Sequence, residues 1–245
     1  MKKILYAIAI LGVAAMAFTS CKKDDGKKND EPKIVKRLAM CGDEWDKYAF
    51  TYGNDGKLTL VDRNEGERTW TFTWEGNTAT VKYVKEGEEK DPLSFTLGDN
   101  GFVSTYTDTW GDVRNVTYDK DGHMLKVDKA GDVKCNCVWE NGDLSKWSRF
   151  EDGEQFKLQT FLPDENIGGI FPDATDKAGI DRWMIEVGMF GKPSKHLLDQ
   201  ATWDGSGAIA VQTYEKDNDG YVTKVSKVYD GGDPEIYEYA WEEVK

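Results

Sequence analysis

The sequence predicts a mainly β protein, an antiparallel β-meander of hairpin repeats, partly single-layer, with one short helical insertion. Three observations predict it. Turn glycines at positions 56, 76, 101, 122 and 142 recur 20, 25, 21 and 20 residues apart, a spacing in the range of repeat architectures. Between them apolar and polar residues alternate: Thr69, Thr71 and Thr73 fall on one face and Trp70, Phe72 and Trp74 on the other, the period of a strand with one buried face. Finally, 25 glycines accompany 9 Trp, 11 Tyr and 10 Phe, the composition of strands joined by tight turns.

The first element is an export signal. Lys2 and Lys3 precede an uncharged apolar run, Ile4 to Phe18, shorter than the ~20 residues a membrane span needs and followed by small residues, as at a cleavage site. Phe18-Thr19-Ser20-Cys21 resembles the lipobox of bacterial lipoproteins, with Phe18 where Leu is commoner. The resemblance implies that residues 1–20 are removed and that Cys21 is the lipid attachment site, anchoring the chain to a membrane; the plainer alternative is an ordinary secretory signal. Residues 21–33 follow as a lipidated tether. From Lys22 to Pro32 they are polar throughout and are expected to be disordered, since they cannot bury apolar surface. Lys23-Asp24-Asp25 close behind the cysteine resembles the export tag of Bacteroidetes surface lipoproteins, which implies the outer membrane with the protein facing the extracellular side. An ordinary solvated linker would look similar.

Residues 34–245 form the predicted hairpin-repeat domain. Phe50 to Leu60, Phe72 to Val81, Phe95 to Val103, Val116 to Leu125 and Val138 to Leu144 are successive copies of one unit, and Thr213 to Val225 is another. In each, Asp-Gly or Asn-Gly supplies the positive φ that a tight hairpin demands, so Gly56, Gly76, Gly101, Gly122, Gly142 and Gly220 are the structural turns. Residues 34–162 are expected to make about ten strands. The rhythm breaks at about 163–207, a helical or irregular insertion in which Ile180, Trp183, Met184 and Val187 stand at helical spacing. Asp173 or Asp176 could start that helix and Gly188 or Gly191 end it. Its expected role is a lid over an apolar sheet edge or face. Strands return at 208–214, 221–229 and 235–241, continuing one body.

The Tyr-x-x-(x)-Asp-Gly-x-Val/Leu units resemble the YD-type repeats of bacterial surface and toxin proteins. With Gly188 to Leu198 and Tyr214 to Val225, they make the chain similar to a Bacteroidetes surface lipoprotein family of unknown function. The resemblance implies a long, twisted β-meander and brings no catalytic residue with it.

Composition narrows the function. The chain carries a net charge of −13, two units more negative once Lys2 and Lys3 leave, which disfavours nucleic acid and anionic membrane surfaces as partners. No nucleophile elbow, His-Glu-x-x-His, phosphate-binding loop or Cys/His zinc pattern occurs in the sequence, so no catalytic motif, metal site or cofactor is assigned. Cys41, Cys135 and Cys137 remain after Cys21; Cys135 and Cys137 share a strand face and read as small buried side chains. Glu215-x-Asp217-x-Asp219-Gly220 mimics the opening of a calcium loop, but Ser226 stands where a bidentate Glu is required, and turn chemistry accounts for the acids. The tryptophans are the best hint of binding, in rows on an exposed sheet or, alternatively, as core filling. Three functions fit: a surface-exposed binding module for a glycan, peptide or protein partner, which is preferred; a structural or adhesive spacer; and a carboxylate-dependent hydrolase.

Overall fold

The computed structural model describes residues 35–150, 154–171, 180–204 and 207–244, all within one compact unit, Ile34–Lys245. The export signal, Cys21 and the tether lie outside the described residues. Seventeen strands follow in chain order: β1 Lys36–Gly42, β2 Lys47–Tyr52, β3 Leu58–Arg63, β4 Arg68–Glu75, β5 Thr78–Lys85 and β6 Glu88–Glu89. Then come β7 Leu93–Leu97, β8 Val103–Thr107, β9 Val113–Tyr118, β10 Met124–Lys129, β11 Asp132–Glu140, β12 Asp143–Phe150 and β13 Glu154–Glu165. After a short helix, α1 Arg182–Glu186, the chain ends with β14 His196–Trp203, β15 Ile209–Lys216, β16 Val222–Tyr229 and β17 Glu235–Glu243.

The meander is antiparallel, and it closes. Each strand pairs with its neighbour in sequence, β5 passing to β7 across the two-residue β6, and β1 then pairs with β17 from Lys36↔Glu243 to Gly42↔Glu238. The result is a 16-strand barrel, a single sheet rolled on itself. An open meander leaves two raw edges with unpaired backbone groups, and closure removes both. Thirteen strands precede the insertion where about ten were expected, because the links are short.

All six glycines read from the sequence stand at one end of this barrel. Gly56, Gly76, Gly101, Gly122, Gly142 and Gly220 have φ between +59° and +92°. The 20-to-25-residue period is therefore one strand out and one strand back. Four of these turns share a frame: Asp119 N donates to His123 O and Gly122 N to Asp119 O, and the same pair of bonds recurs at Gly53–Lys57, Gly98–Phe102 and Asp217–Tyr221. It is a type I turn with a bulge, which needs a left-handed residue at its fourth position. Glycine is doubly required at 122, because a Cβ there would lie 2.9 Å from the Phe102 ring. The turns at the opposite end use Gly66, Gly87, Gly111, Gly131 and Gly231 at positive φ.

The wall is apolar inside and polar outside. In β4 and β5 the side chains of Trp70, Phe72, Ala79, Val81 and Tyr83 are buried, while Thr71, Thr73, Thr78, Thr80 and Lys82 are exposed. A membrane-spanning barrel has the reverse pattern, an outward apolar band around a polar lumen. The most exposed apolar residues of the outer wall between β11 and β15 are Val138, Leu158, Ile209 and Val211; along the row that contains the first three, Lys146 and Thr202 alternate with them. No helix among the described residues is long and apolar enough to cross a membrane.

The described part of the insertion packs on the apolar inner face of the sheet, within the lumen, and not over an edge. The insertion is shorter than expected, since β13 runs to Glu165 and His196–Trp203 forms β14. The expected cap residues Asp173 and Asp176 fall outside the described residues; Asp181 precedes the helix, with no side-chain cap. Trp183, Met184, Ile185 and Glu186 are all buried, and a helix covered on every side belongs in an interior. The spacing of Ile180, Trp183, Met184 and Val187 showed an apolar face but not its surroundings. Trp183 packs 5.4 Å from Trp70 and edge-on to Phe72 at 5.9 Å, and Phe190 meets Tyr106 edge-on at 5.2 Å. The exit of the plug is bonded to the turns, Lys192 N to Gly122 O and Lys195 N to Gly142 O. Gly191 passes so close that a Cβ would lie 2.8 Å from Gly122 O.

Candidate functional site

The two ends of the barrel use their aromatic residues differently. At the turn end, alternate strands finish in Tyr52, Trp74, Tyr118, Trp139, Tyr214 and Trp241, each half-buried against the core. Each donates its polar hydrogen to the carbonyl of a residue 14 to 19 positions earlier. Tyr118 reaches Val103 O at 2.7 Å and Trp139 reaches Met124 O at 2.7 Å. Leu97 and Phe161 also pack on the core but have no hydrogen to give. A ring of this kind satisfies the tyrosine and indole tips and locks neighbouring hairpins together. Trp70, Trp147 and Trp183 are buried in the lumen, and Lys157 lies over the half-buried Trp203 at 4.1 Å. Of the two readings of the tryptophans, core filling holds for these residues, and no row forms on an exposed sheet among the described residues.

Two acidic turns at this end are occupied by the protein's own side chains. The Lys36 ammonium sits between Asp217, at 2.7 Å, and Asp219, where the calcium-like spacing would place an ion. Its proton is held more tightly than in water, chiefly by the hydrogen bonds to those two carboxylates. Partial burial pushes the Asp217 carboxyl upward, but Lys36 and the Tyr221 and Asp219 amides outweigh it and hold the group below the usual range. Asp119 is treated likewise by the His123 ring, at 2.9 Å, and by turn amides. His123 stacks on Trp139 at 4.4 Å. His196 is pegged to Asp143 through both its backbone N and its ring, at 2.9 and 2.8 Å, beside an apolar cavity of about 30 Å³, room for no more than a water. Cys41, Cys135 and Cys137 are buried free thiols. Burial pushes the Cys41 thiol up, and a hydrogen bond with Cys135 followed by burial does so for Cys137. Thiols of this kind are unreactive.

The opposite end carries the candidate site, a solvent-open cleft of about 570 Å³ between the β1–β2 loop and the start of β17, for which this is called the open end. Asp43, Glu44, Trp45 and Lys47 form one side and residues 233–238 the other. Trp45 is 76% exposed, yet its loop is rigidly built. Asp43 Oδ1 accepts the amides of Trp45 and Asp46, both at 2.8 Å, and Trp45 O accepts Asn64 Nδ2 at 2.8 Å. Arg63 braces Asp46. Gly42 makes the loop possible, since a Cβ there would collide with Asp46 O.

Across the cleft, Tyr237 donates to Glu235 at 3.1 Å, and Lys47 pairs with Glu238 at 3.0 Å. Behind the Tyr237 ring lies Arg182 of the plug helix, 4.1 Å from its centre. Burial pushes the Tyr237 hydroxyl up to about 12, against the pull of Arg182 and Lys227, so it stays a donor at any physiological pH. Arg182 is held by Tyr239 and by the buried Glu186, whose other oxygen accepts Phe171 N at 2.9 Å. Chemically the cleft offers one free indole face, several carboxylate acceptors and a single lysine. Sequence reasoning singled out neither Trp45 nor this cleft.

No family model and no curated relative matches the chain. Among solved structures it is similar to a porin-like protein from Bacteroides uniformis, with a TM-score of 0.64 and 18% identity over 84% of this chain and 96% of that one. A porin-like protein from Bacteroides vulgatus aligns with a TM-score of 0.47 and 11% identity, over 83% and 98% of the two chains. The first likeness is one of fold.

Proposed function

We propose that this barrel is a ligand-binding module of the outer membrane, tethered through lipidated Cys21, facing the extracellular side and taking neutral glycans in its open-end cleft. The observation that carries the reading is Trp45, an indole face left in solvent on a rigid loop above a 570 Å³ cleft of hydrogen-bond acceptors. A sugar ring presents a flat C–H face for the indole and hydroxyl donors for carboxylates, and a preformed concave site with few placed polar groups is how small ligands are bound. Conduction finds no support, because the lumen holds the plug and the outer wall is polar. The export signal expected from the sequence and the fold shared with the Bacteroides uniformis porin-like protein support the address.

The experiment is a panel of neutral oligosaccharides screened by calorimetry against residues 22–245 and Trp45→Ala. At least one sugar should bind, and the variant should bind it ~10-fold or more weakly with an unchanged unfolding midpoint, since exposed sites rarely alter stability by more than ~0.5 kcal/mol. Silence across the panel would favour the second reading, a structural or adhesive spacer, for which the continuous polar wall is the support.

A further inference from the structure

We propose that Trp110 is a second stacking subsite and that the ligand is accordingly a polysaccharide, long enough to touch the open rim at two points. The inference rests on the binding reading of the Trp45 cleft and extends it to another loop. Trp45 and Trp110 are the two tryptophans among the described residues that are mostly in solvent, at 76% and 71% exposure. They stand at the same end of the barrel, since the β1–β2 and β8–β9 connections both lie opposite the plugged turns, six ring positions apart.

In both loops an aspartate side chain clamps backbone amides, as Asp119 and Asp217 also do at the turn end. Asp108 Oδ1 accepts the amide of Trp110 at 3.0 Å and that of Asp112 at 2.9 Å, as Asp43 does for Trp45 and Asp46. Arg114 braces the second loop as Arg63 braces the first, contacting Asp108 Oδ2 through Nε at 2.8 Å and through Nη2 at 2.7 Å. Lys129 holds Asp112 at 2.6 Å, and Gly111 closes the turn at φ +81°. The Asp108 side chain is fully buried and that of Arg114 nearly so, so charged groups have been taken from water to hold one loop whose tip is an exposed indole. Loop ordering costs affinity when it happens on binding; here it is done in advance.

The surroundings select the ligand class. Trp110 is flanked by Thr109 and Gly111, and the one strongly exposed aliphatic side chain near it in sequence is Val113. A protein interface wants an apolar core around its aromatic anchor, which a single valine does not make, whereas a sugar ring needs one flat exposed face. An anionic polymer or lipid surface is repelled by the net charge of −13. Neutral polysaccharide remains, and contact at two fixed points converts the second event into an intramolecular one.

The test is native electrophoresis of residues 22–245 through gels cast with soluble xylan, galactomannan, mixed-linkage β-glucan or dextran, with calorimetry on the tetrasaccharide of whichever polymer retards migration. Trp110→Ala should lose at least ~10-fold in polymer affinity, as expected for lost avidity, while its tetrasaccharide affinity stays at the wild-type value. Trp45→Ala should lose both, and Trp110→Phe should recover part of the polymer affinity. Retardation that Trp110→Ala leaves intact while Trp45→Ala abolishes it would overturn the second subsite and leave the first standing. No retardation by any polymer, or equal retardation of all forms, would overturn both.

Discussion

The turn end and the open end both clamp loops with aspartate oxygens but use their tryptophans oppositely. At the turn end, Trp74, Trp139 and Trp241 point their N–H groups at Leu58, Met124 and Val222 carbonyls, and Asp217 is bonded to Lys36. At the open end, Asp43 and Asp108 use carboxylate oxygens to stiffen loops whose indoles touch little. The difference teaches that a tryptophan's role follows from what its ring and N–H meet, not from its presence. Where both are engaged it is architecture; where the backbone is clamped and the ring is free it is a contact surface.

That contrast can be broken or sharpened by measurement. The largest effect is expected at the plug. Trp183→Ala empties the contact with Trp70 and Phe72 and should cost about 3–5 kcal/mol in denaturant unfolding; a loss below about 1 kcal/mol would mean the plug is not part of the core. Next comes the aromatic ring at the turn end. Tyr118→Phe keeps the packing but removes the hydrogen bond to Val103 O, and should cost about 1 kcal/mol. If it costs nothing, the hydrogen-bonded ring is ornament and the two ends differ less than claimed.

The smallest expected effect is on acid stability. Asp119 and Asp217 have folded pKa values held below those of the unfolded chain. The stability they contribute is therefore fully present above the unfolded value of about 3.9 and is lost as pH falls through the lower folded values. Denaturant midpoints should decline as pH drops below about 4, and Lys36→Met should flatten that decline while lowering stability at neutral pH. An identical acid profile in the variant would contradict the assigned role of Lys36.

Much of the β architecture is legible locally because it rests on local chemistry. Positive φ wants glycine, and alternation wants two environments, so the strands around Gly56, Gly76, Gly101 and Gly122 follow from short windows. Closure is not legible in that way, since it depends on Lys36 meeting Glu243, a pairing that no window of neighbours encodes. The lumen position of Trp183 is hidden for a similar reason: helical spacing reports that a residue is buried, not by which walls. Trp45 and Trp110 could have been found. Each lies between strands within an Asp-x-Trp motif followed at once or one residue later by another Asp, whereas a strand tryptophan such as Trp70 or Trp74 sits in an alternating run. Counting tryptophans together concealed that distinction.

The β1–β17 seam also sets how the molecule can be assembled and how it can fail. Its two halves come from opposite ends of the chain, so the ring stays a slit cylinder until the final nine residues of β17 have docked, a long-range step that is intrinsically slow. Truncation just before Glu235 would not subtract one stave from sixteen. It would leave β1 and β16 as bare edges ready to zip onto neighbouring molecules, so the cost of a clipped C-terminus would be counted in aggregates.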